Sequence, residues 1–457
     1  MNFKEIKKPE LLAPAGSFEK AKIAFMYGAD AVYCGTSSLS LRTRAEMQDN
    51  NLEETIKYAH SIGKRVHTAI NIFAFDKDYD EIEKQAKMLE KLKVDAIIVA
   101  DGGVVDALKQ FAPSIPLHIS TQANSVSYHD ALFWYKNGAK RIILARELNK
   151  KQIKDIMENK PEDLEIEMFG HGAICFSYSG RCFLSQYLSD RSANLGDCSQ
   201  SCRWSYNVYV EEANNPGNLM PVEADGKGTH IFSSKDLCLV KEIPEIILMR
   251  MDSLKIEGRL KTEYYLASVV NTYRNAIDDA YDKILEAVKD EEKIKLLEEA
   301  YLAGDNDKIN EIIGYDYSIY MSEIEKTKTR GLTTFYFNSR ENKDIQEYDG
   351  KQYNLDYEFG GKVISNLDSM DGVDSKEIDD KDLVLIEIRN KLSVGDDAEV
   401  IVPDLLEPKK FKIEKLVDSE TFEEIDTINP GVQGQTVLIK IPYEVKENWV
   451  IRHKKNK

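Results

Sequence analysis

Four of the six cysteines lie in one short segment of this 457-residue sequence, and they are its clearest indication of chemistry. Successive members are separated by six, fifteen and three residues, and the four are Cys175, Cys182, Cys198 and Cys202. Thiolates are the ligands of iron–sulfur clusters and of structural zinc, and four of them can complete a ligand shell. The three-residue gap is zinc-like, but the six-residue gap is typical of neither a zinc ribbon nor a ferredoxin, so the spacing leaves the metal open.

His171 and Cys175 suggest a second chemistry, because they are four residues apart. If this segment were helical, both side chains would share a face and the imidazole could deprotonate the thiol, as in a cysteine peptidase. The sequence contains neither H-E-x-x-H nor G-x-S-x-G, so this pair is its best candidate for a proteolytic site. A nucleophilic role for Cys175 would break up the four-thiolate set, and we favour metal ligation over both a nucleophile and inert buried thiols. Cys34 and Cys238 are expected to be core or rim thiols, although either could replace one of the four ligands.

The elements that must position these residues repeat one pattern over about the first 280 residues, in which a short apolar strand, a turn and an amphipathic helix alternate. Eight strands are predicted, over residues 10–15, 31–35, 65–71, 96–100, 117–122, 141–145, 164–169 and 253–257. Such alternation implies parallel strands with right-handed crossovers, and eight of them predict a closed (β/α)8 barrel, the TIM-like α/β fold. A doubly wound open sheet is the alternative, but no G-x-G-x-x-G follows the first strand.

The regular spacing is interrupted between strands seven and eight, where the cysteine segment lies. An insertion there emerges on the C-terminal face of the barrel, where active sites of this fold are built. Residues 1–282 are therefore predicted to form the barrel, including the cysteine insertion over 174–250, and residues 283–345 a charged helical connector. Alternating runs separated by Gly, Asp, Asn and Pro predict a small all-β barrel domain over 346–457. Its basic last residues, 452–457, are expected to form a solvated terminus rather than a phosphate contact.

Polar side chains follow the predicted strands at their carboxyl ends, where they would face a ligand in the barrel mouth. The candidate catalytic residues among them are Gln122, Arg146, His171, Lys255 and Glu257. Each could instead make a hydrogen bond within the barrel rim. Together they make the barrel mouth the predicted site.

Arginines near the same mouth are candidates for binding an anionic ligand. Arg42, Arg44 and Arg259, together with Arg146, could hold a dicarboxylate or an RNA phosphate through bidentate contacts, or could pair with nearby carboxylates. Aromatic side chains close to the cysteines could stack a splayed base, although core packing is expected for most of them. They are Phe176, Tyr178, Phe183, Tyr187 and Trp204.

The composition is that of a soluble globular protein, with 42% hydrophobic and 31% charged residues and no apolar run long enough for a membrane span. The formal charge of −18 argues against a surface that is broadly basic, but not against a local basic channel. The N-terminus has no apolar stretch of a secretory signal, so we expect a reducing cytoplasm, where disulfides are rare.

Several motifs resemble those of one known family. Residues 167–185 read EMFGHGAICFSYSGRCFLS and are followed by GDCSQSCRW over 196–204, SKDL over 234–237 and LKIEGR over 254–259. Earlier in the chain stand ELLAPAG at 10–16, GADAVY at 28–33 and STQAN at 120–124. These runs closely resemble the collagenase-like peptidases of peptidase family U32, in the long form with a C-terminal β-domain, and the resemblance extends over nearly the whole chain.

The resemblance implies a function that differs from the family name. Similar bacterial proteins of the long form take part in hydroxylating a tRNA wobble uridine to 5-hydroxyuridine with prephenate as a required metabolite, and relatives hydroxylate an rRNA cytidine or act in oxygen-independent ubiquinone synthesis. In those members four cysteines bind an iron–sulfur cluster, which implies a [4Fe–4S] cluster on the four cysteines here, with zinc as the alternative. The implied partners are tRNA, prephenate or a similar carboxylate, an electron donor and a paralogous subunit.

Three functions therefore remain open. The first is an iron–sulfur enzyme or enzyme subunit that hydroxylates tRNA, with rRNA as the alternative substrate. The second is a peptidase of collagen-like peptides, because the family name derives from such an activity. The third is a non-catalytic RNA-binding accessory factor in which a metal only holds the insertion together.

Overall fold

A computed structural model describes residues 6–36, 39–40, 47, 49–175, 177–204, 206, 209–211, 216–217, 219–221, 234–339, 341–342, 344–346, 356–366, 383–432 and 434–455. Eight parallel strands form a closed ring, because the eighth pairs with both the first and the seventh. They are β1 (Glu10–Pro14), β2 (Ala31–Gly35), β3 (Arg65–Ile70), β4 (Ala96–Val99), β5 (Leu117–Ile119), β6 (Ala139–Ile143), β7 (Glu165–Ala173) and β11 (Ser253–Ile256). The predicted (β/α)8 barrel is confirmed, and the open sheet is excluded by the closing pairs.

Helices follow the first six strands, as the alternating pattern predicts. They are α1 (Phe18–Met26), α2 (Asp49–Ser61), α3 (Tyr79–Leu92), α4 (Gly102–Phe111), α5 (Tyr128–Lys136) and α6 (Lys150–Asn159). Side-chain oxygens cap several of them: Ser17 accepts from the N–H of Lys20, and Asp101 accepts from two N–H groups at the start of α4. Such caps satisfy N–H groups that have no partner within the helix, and they fix where each helix begins.

The segment between β7 and β11 contains α7 (Leu184–Ser189), β8 (Tyr209–Glu211), β9 (Leu219–Pro221), β10 (Asp236–Cys238) and α8 (Ile243–Leu248). β7 is longer than predicted, and its last residues leave the barrel to pair antiparallel with β10. From the sequence alone, residues 235–240 are predicted to be helix-like, and this prediction is wrong, because Asp236–Cys238 form the strand β10. This short strand exists because it pairs with the end of β7, and such distant pairing outweighs local propensity.

A helical layer follows the barrel, made of α9 (Glu263–Ala287), α10 (Glu291–Ala303), α11 (Asn306–Ile313) and α12 (Ser318–Ile324). The two-residue strand β12 (Leu332–Thr333) then pairs with β10 and extends the barrel sheet. The domain boundary predicted at residue 282 falls inside α9, and the division into domains stays a prediction. Among the described residues, no helix has the length and apolar character needed to cross a bilayer.

The C-terminal part is an antiparallel all-β domain, as predicted. Its strands are β13 (Tyr357–Asn366), β14 (Leu383–Ile388), β15 (Leu392–Ser393), β16 (Asp397–Ile401), β17 (Lys409–Lys412), β18 (Leu416–Asp418), β19 (Glu424–Ile425), β20 (Thr427–Ile428), β21 (Thr436–Lys440) and β22 (Val450–Lys454). Eight of them form one sheet in the order β17-β16-β22-β13-β14-β21-β18-β19, and the pairings of the described residues leave β17 and β19 as edges rather than closing a barrel.

The expectation of a solvated C-terminal end is wrong for Arg452 and His453. Both are buried within β22, which lies between β16 and β13 in the sheet. The Arg452 guanidinium pairs with Glu399 at 2.5 Å and with Glu323 of α12 at 2.7 Å. A run of basic residues indicated a free terminus, but two carboxylates from distant elements compensate the buried charge.

Candidate active site at the barrel mouth

A cavity of about 500 Å³ lies between the cysteine segment and the C-terminal face of the barrel. All four clustered cysteines line it, so the structure brings together the side chains that the sequence grouped: Cys175, Cys182, Cys198 and Cys202. Gln122, Arg146 and Glu257 of the barrel line the same cavity. We call this space the outer cavity.

The cysteine segment is held against the barrel by a close backbone contact and by hydrogen bonds. Gly180 has φ +74°, and a Cβ at this position would lie 2.1 Å from the carbonyl oxygen of Gln122, so only glycine fits. The neighbouring Ser179 donates its N–H to Glu147 at 2.7 Å, and its hydroxyl accepts from Arg146 Nε at 3.4 Å. Arg146 and Glu147, which follow strand β6, thus position the loop that carries Cys175 and Cys182.

The thiols share one electrostatic environment. Burial raises the pKa of Cys202 to about 11, the Arg203 guanidinium opposes this rise, and the charges of the three other clustered cysteines add to it. The backbone N–H of Gln200 donates to Cys198 Sγ at 3.4 Å, a contact that stabilises thiolate and is common around metal-bound cysteine. Arg203 itself donates to the carbonyl oxygen of Ile174 at 2.8 Å.

The thiols are not gathered around a single ion position. Within the part of the chain that the structure describes, no group of three or more His, Cys, Asp or Glu side chains is placed closely enough to hold one metal ion. A zinc ion with bonds of about 2.3 Å requires its thiolates to lie within roughly 4.6 Å of one another. An iron–sulfur cluster is larger than one ion and is bound by thiolates that are spread more widely around it.

A second, smaller cavity of about 80 Å³ lies inside the barrel, directly beneath the outer one. Gln122, Arg146, Ala173 and Glu257 line both spaces, so the two cavities share a wall. The other side chains around the smaller space are Tyr33, Ala69, Asn71, Ile98, Ser120, Thr121, Ile143, Phe169, Lys255 and Arg259. We call it the inner cavity.

Lys255 is the buried amine of the inner cavity. Its Nζ contacts Glu167 Oε1 at 3.2 Å and lies 4.0 Å from the centre of the Tyr33 ring. Burial lowers the pKa of Lys255, although the Glu167 carboxylate opposes this shift. Beside it, the Tyr33 hydroxyl donates to Glu257 Oε2 at 2.8 Å.

An ion network below the inner cavity connects Lys255 with the base of the barrel. Glu167 also pairs with Arg141 at 3.0 Å, and Arg141 in turn pairs with Glu10 at 2.5 Å. His67 and His118 pack edge to face in the same interior, with ring centres 4.8 Å apart, and burial lowers the pKa of both well below the usual range. The barrel interior is therefore polar, which is unusual for a core otherwise filled with branched apolar residues.

His171 lies apart from both cavities. It is buried beside Tyr265 and Tyr273 of α9, and burial lowers its pKa to about 3. The helical geometry that would pair it with Cys175 is absent, because residues 171–173 belong to β7. His171 and Cys175 therefore do not share the helix face that would let the imidazole deprotonate the thiol.

The remaining predicted residues divide into four groups. Arg42, Arg44 and Phe176 lie outside the described residues, whereas Arg259 lines the inner cavity. Cys34 and Cys238 are buried away from both cavities, and burial raises the pKa of each to about 12. The expectation of core packing is wrong for four aromatic residues, whose exposed fractions are 65% for Tyr178, 71% for Phe183, 77% for Tyr187 and 42% for Trp204.

Three cations of the outer cavity were not predicted: Arg203, Lys261 and Arg330. Arg203 directly follows Cys202, and Lys261 follows the LKIEGR motif by two residues, so both positions were visible in the sequence. Arg330 comes from a distant turn, and it is placed by an ion pair with Asp236 of β10 at 2.5 Å. With Arg146, these residues outnumber the carboxylates among the described residues of the wall, where only Glu257 is found.

Fold and site together define a (β/α)8-barrel protein with a cationic, thiol-lined cavity over the barrel mouth, where barrel enzymes bind their substrates. The family model of peptidase family U32 matches residues 16–347, and the model of the peptidase family U32 C-terminal domain matches residues 372–452. The chain belongs to this family, which confirms the resemblance seen in its motifs.

Named relatives extend over most of the chain. The tRNA hydroxylation protein P of Escherichia coli strain K12 is 32% identical over 97% of this chain and 96% of its own length. The tRNA hydroxylation protein P of Helicobacter pylori strain J99 is 38% identical over 78% of each chain. A 23S rRNA 5-hydroxycytidine synthase of Escherichia coli strain K12 is 32% identical over 75% of this chain and 47% of its own length.

Proposed function

We propose that this protein is an iron–sulfur enzyme or enzyme subunit that hydroxylates a tRNA uridine at C5, in a reaction that depends on prephenate or a similar carboxylate. The observation that carries the proposal is the outer cavity, in which all four clustered thiols face the mouth of the barrel. Relatives named for tRNA hydroxylation match the chain nearly end to end, and the relative named for rRNA makes a pyrimidine in rRNA the alternative substrate.

The four thiols fit the four-thiolate shell of a [4Fe–4S] cluster, since all of them line one cavity. The same four thiols keep zinc as the alternative metal. When bound, such a cluster supplies one-electron transfer. Arg203, half-buried beside Cys202, would offset part of the negative charge that four thiolates bring.

The cations of the cavities support an anionic ligand next to the thiols. Arg146 lines both cavities, and Arg259 lines the inner one, where a planar guanidinium can bind a carboxylate through two parallel hydrogen bonds. Gln122 and Glu257 lie at the shared wall and can orient a base and hold a proton, respectively. This arrangement would keep a small carboxylate on the barrel side and a nucleobase on the cysteine side.

The exposed aromatic side chains support binding of unpaired RNA. Tyr178 lines the outer cavity and is at the same time 65% exposed, and Phe183 follows the ligand candidate Cys182. A single-stranded RNA base gains about 1–3 kcal/mol by stacking on such a ring. The rim of the outer cavity is therefore suited to a loop nucleotide that leaves its stack and enters the site.

Tests of this proposal can use cysteines as their own controls. We expect protein purified without oxygen to contain about four irons per chain. In cells that lack the endogenous protein, Cys182→Ser is expected to lower both iron content and tRNA 5-hydroxyuridine by on the order of tenfold or more, measured by mass spectrometry of tRNA nucleosides. Cys34→Ser, which changes a buried thiol outside both cavities, should leave both quantities unchanged. Unchanged 5-hydroxyuridine in Cys182→Ser cells would contradict the proposal.

A further inference from the structure

We propose that Lys255 binds a small 2-oxo carboxylate covalently in the inner cavity, as an imine between its Nζ and the carbonyl carbon of the ligand. The proposal deepens the function proposed above, since it assigns a chemical class and a covalent mode of binding to the carboxylate. It is carried by a constellation of side chains in one enclosed space: a buried amine, two guanidinium groups and a hydrogen-bonded tyrosine–carboxyl pair.

The inner cavity selects for a small anion. Its volume of about 80 Å³ is several times what one water needs, which leaves room for about six heavy atoms, enough for the 2-oxo carboxylate end of a ligand that extends into the outer cavity. Arg146 and Arg259 line it together with Lys255, and among the described residues of its wall Glu257 is the carboxylate that faces them. A guanidinium pair binds a carboxylate, and the amine is then left to face the atom next to that carboxylate.

Lys255 has the surroundings of a nucleophilic amine. Its Nζ lies against the ring of Tyr33 at 4.0 Å and that of Phe169 at 5.8 Å, and the side chain is almost completely buried. Burial and the neighbouring Arg259 both lower its pKa, which increases the neutral fraction that can attack a carbonyl. Glu167 acts in the opposite direction, but burial is the larger effect.

The groups needed for proton transfer lie beside the amine. The neutral amine attacks the carbonyl carbon and gives a carbinolamine, in which the former carbonyl oxygen has taken up a proton. The carbinolamine then takes up the proton that the Lys255 ammonium released on becoming neutral and loses that oxygen as water, which leaves the iminium ion, so no oxidant or reductant is consumed. Glu257, which accepts a hydrogen bond from Tyr33 at 2.8 Å, lines the cavity and can pass a proton to the departing hydroxyl.

A purely structural role for Lys255 is the competing explanation. Its contact with Glu167 completes the ion network that includes Arg141 and Glu10, and a lysine that only neutralises this network needs no ligand. The two roles differ in one measurable property. A structural lysine forms no adduct, whereas an imine-forming lysine is trapped irreversibly when a mild hydride donor reduces the imine.

The test uses the full-length protein, purified without oxygen, with pyruvate as probe, sodium cyanoborohydride as trap and no RNA. We expect one carboxyethyl group on the peptide that contains Lys255, formed at least about tenfold faster than on any other lysine. Acetone, which lacks the carboxylate, should give no adduct, and lactate, which lacks the carbonyl, should slow the reaction with pyruvate. Lys255→Arg should abolish the adduct, whereas Lys362→Arg, which changes another buried lysine in β13 outside both cavities, should retain it.

Peptide mapping of the unaltered protein keeps the test decisive even if Lys255→Arg does not fold. Absence of an adduct, or labelling of Lys255 at the rate of surface lysines, would overturn the proposal. The outcome is independent of hydroxylation, because the reaction contains no RNA. A specific adduct in a protein that leaves tRNA unmodified would refute the proposed function alone, and modified tRNA without an adduct would refute the imine alone.

Discussion

Burial sets the charge of several histidines in this barrel. His67, His118 and His171 are enclosed by protein, and the pKa of each is lowered because the charged imidazolium would lose its hydration. For His171 the value is about 3. At neutral pH these side chains are uncharged parts of the core. A histidine that lies near a cysteine or a strand end in the sequence is therefore not identified as catalytic by that position alone.

The linkage between His171 and folding gives a prediction for pH dependence. In the unfolded chain His171 takes up a proton as the pH falls below 6.5, whereas in the folded protein it stays neutral down to about pH 3. The free energy of unfolding therefore decreases as the pH falls from 6.5 to about 3. His171→Gln removes this contribution. Between pH 7.5 and 5.5 the variant should lose about 1.4 kcal/mol less unfolding free energy than the unaltered protein, as measured by urea denaturation. The exposed His129→Gln serves as control, and an equal loss in both variants would show that His171 is protonated in the fold.

At the scale of elements, the barrel was predictable because each of its strands combines a short apolar run with a following helix. The eight strand positions were read correctly for that reason, and the mouth residues at their ends followed. The local sequence pattern could not predict which distant segments pair with each other. β10 and β22 form only because β7, β13 and β16 offer them edges, and Arg330 reaches the outer cavity through its pair with Asp236.

The exposed aromatic side chains were missed for a related reason. A cluster of aromatic residues next to a motif usually indicates a core, since such side chains bury large areas. Here the described residues between Cys175 and Cys202 form one short helix, α7, and two turns of 3-10 helix, and Tyr178 and Phe183 remain exposed on them. Contiguous exposed apolar surface next to a cavity indicates a binding site.

The contact between Gly180 and Gln122 can be tested with a matched glycine. Gly180→Ala adds a Cβ that would clash with a carbonyl oxygen at 2.1 Å, whereas Gly63→Ala has a similar φ of +69° but open space around it. Both variants should lose about 1–2 kcal/mol from backbone strain. Gly180→Ala should in addition displace the cysteine segment, and the thiols of metal-free protein should then react severalfold faster with a thiol reagent. Equal reactivity in both variants would show that this contact does not position the cysteines.

At the scale of the whole molecule, charge is distributed unevenly. The chain carries a formal charge of −18, yet the described wall of the outer cavity has Arg146, Arg203, Lys261 and Arg330 against Glu257, with Asp236 paired to Arg330 behind it. An acidic surface repels RNA in general, and a local positive cavity attracts it at one place. The net charge was expected to argue against a broadly basic surface but not against a local basic channel. The outer cavity agrees with this expectation.

The C-terminal domain is attached to the barrel through buried polar contacts. Tyr27, which follows α1, donates its hydroxyl to the carbonyl oxygen of Ile401 at 2.8 Å and accepts from the N–H of Val450 at 3.0 Å. Asn271 of α9 donates to the carbonyl oxygen of Leu405 at 2.7 Å. The two bonds of Tyr27 join the end of α1 to the adjacent strands β16 and β22, and the Asn271 bond joins α9 to the loop after β16. The two domains should therefore unfold together.

Tyr27→Phe tests this coupling, because it removes one hydroxyl and leaves the partners Ile401 and Val450 without their bonds in a buried interface. Each buried group left unpaired costs about 1–3 kcal/mol, which is enough to weaken the attachment while both hydrophobic cores stay intact. Calorimetry should show a single transition for the unaltered protein and an earlier, separate transition of the C-terminal domain for the variant. Tyr187→Phe, at a side chain that is 77% exposed, should keep the single transition. One unchanged transition in Tyr27→Phe would mean that the domains are held together by other contacts, such as the pairing of Arg452 with Glu323.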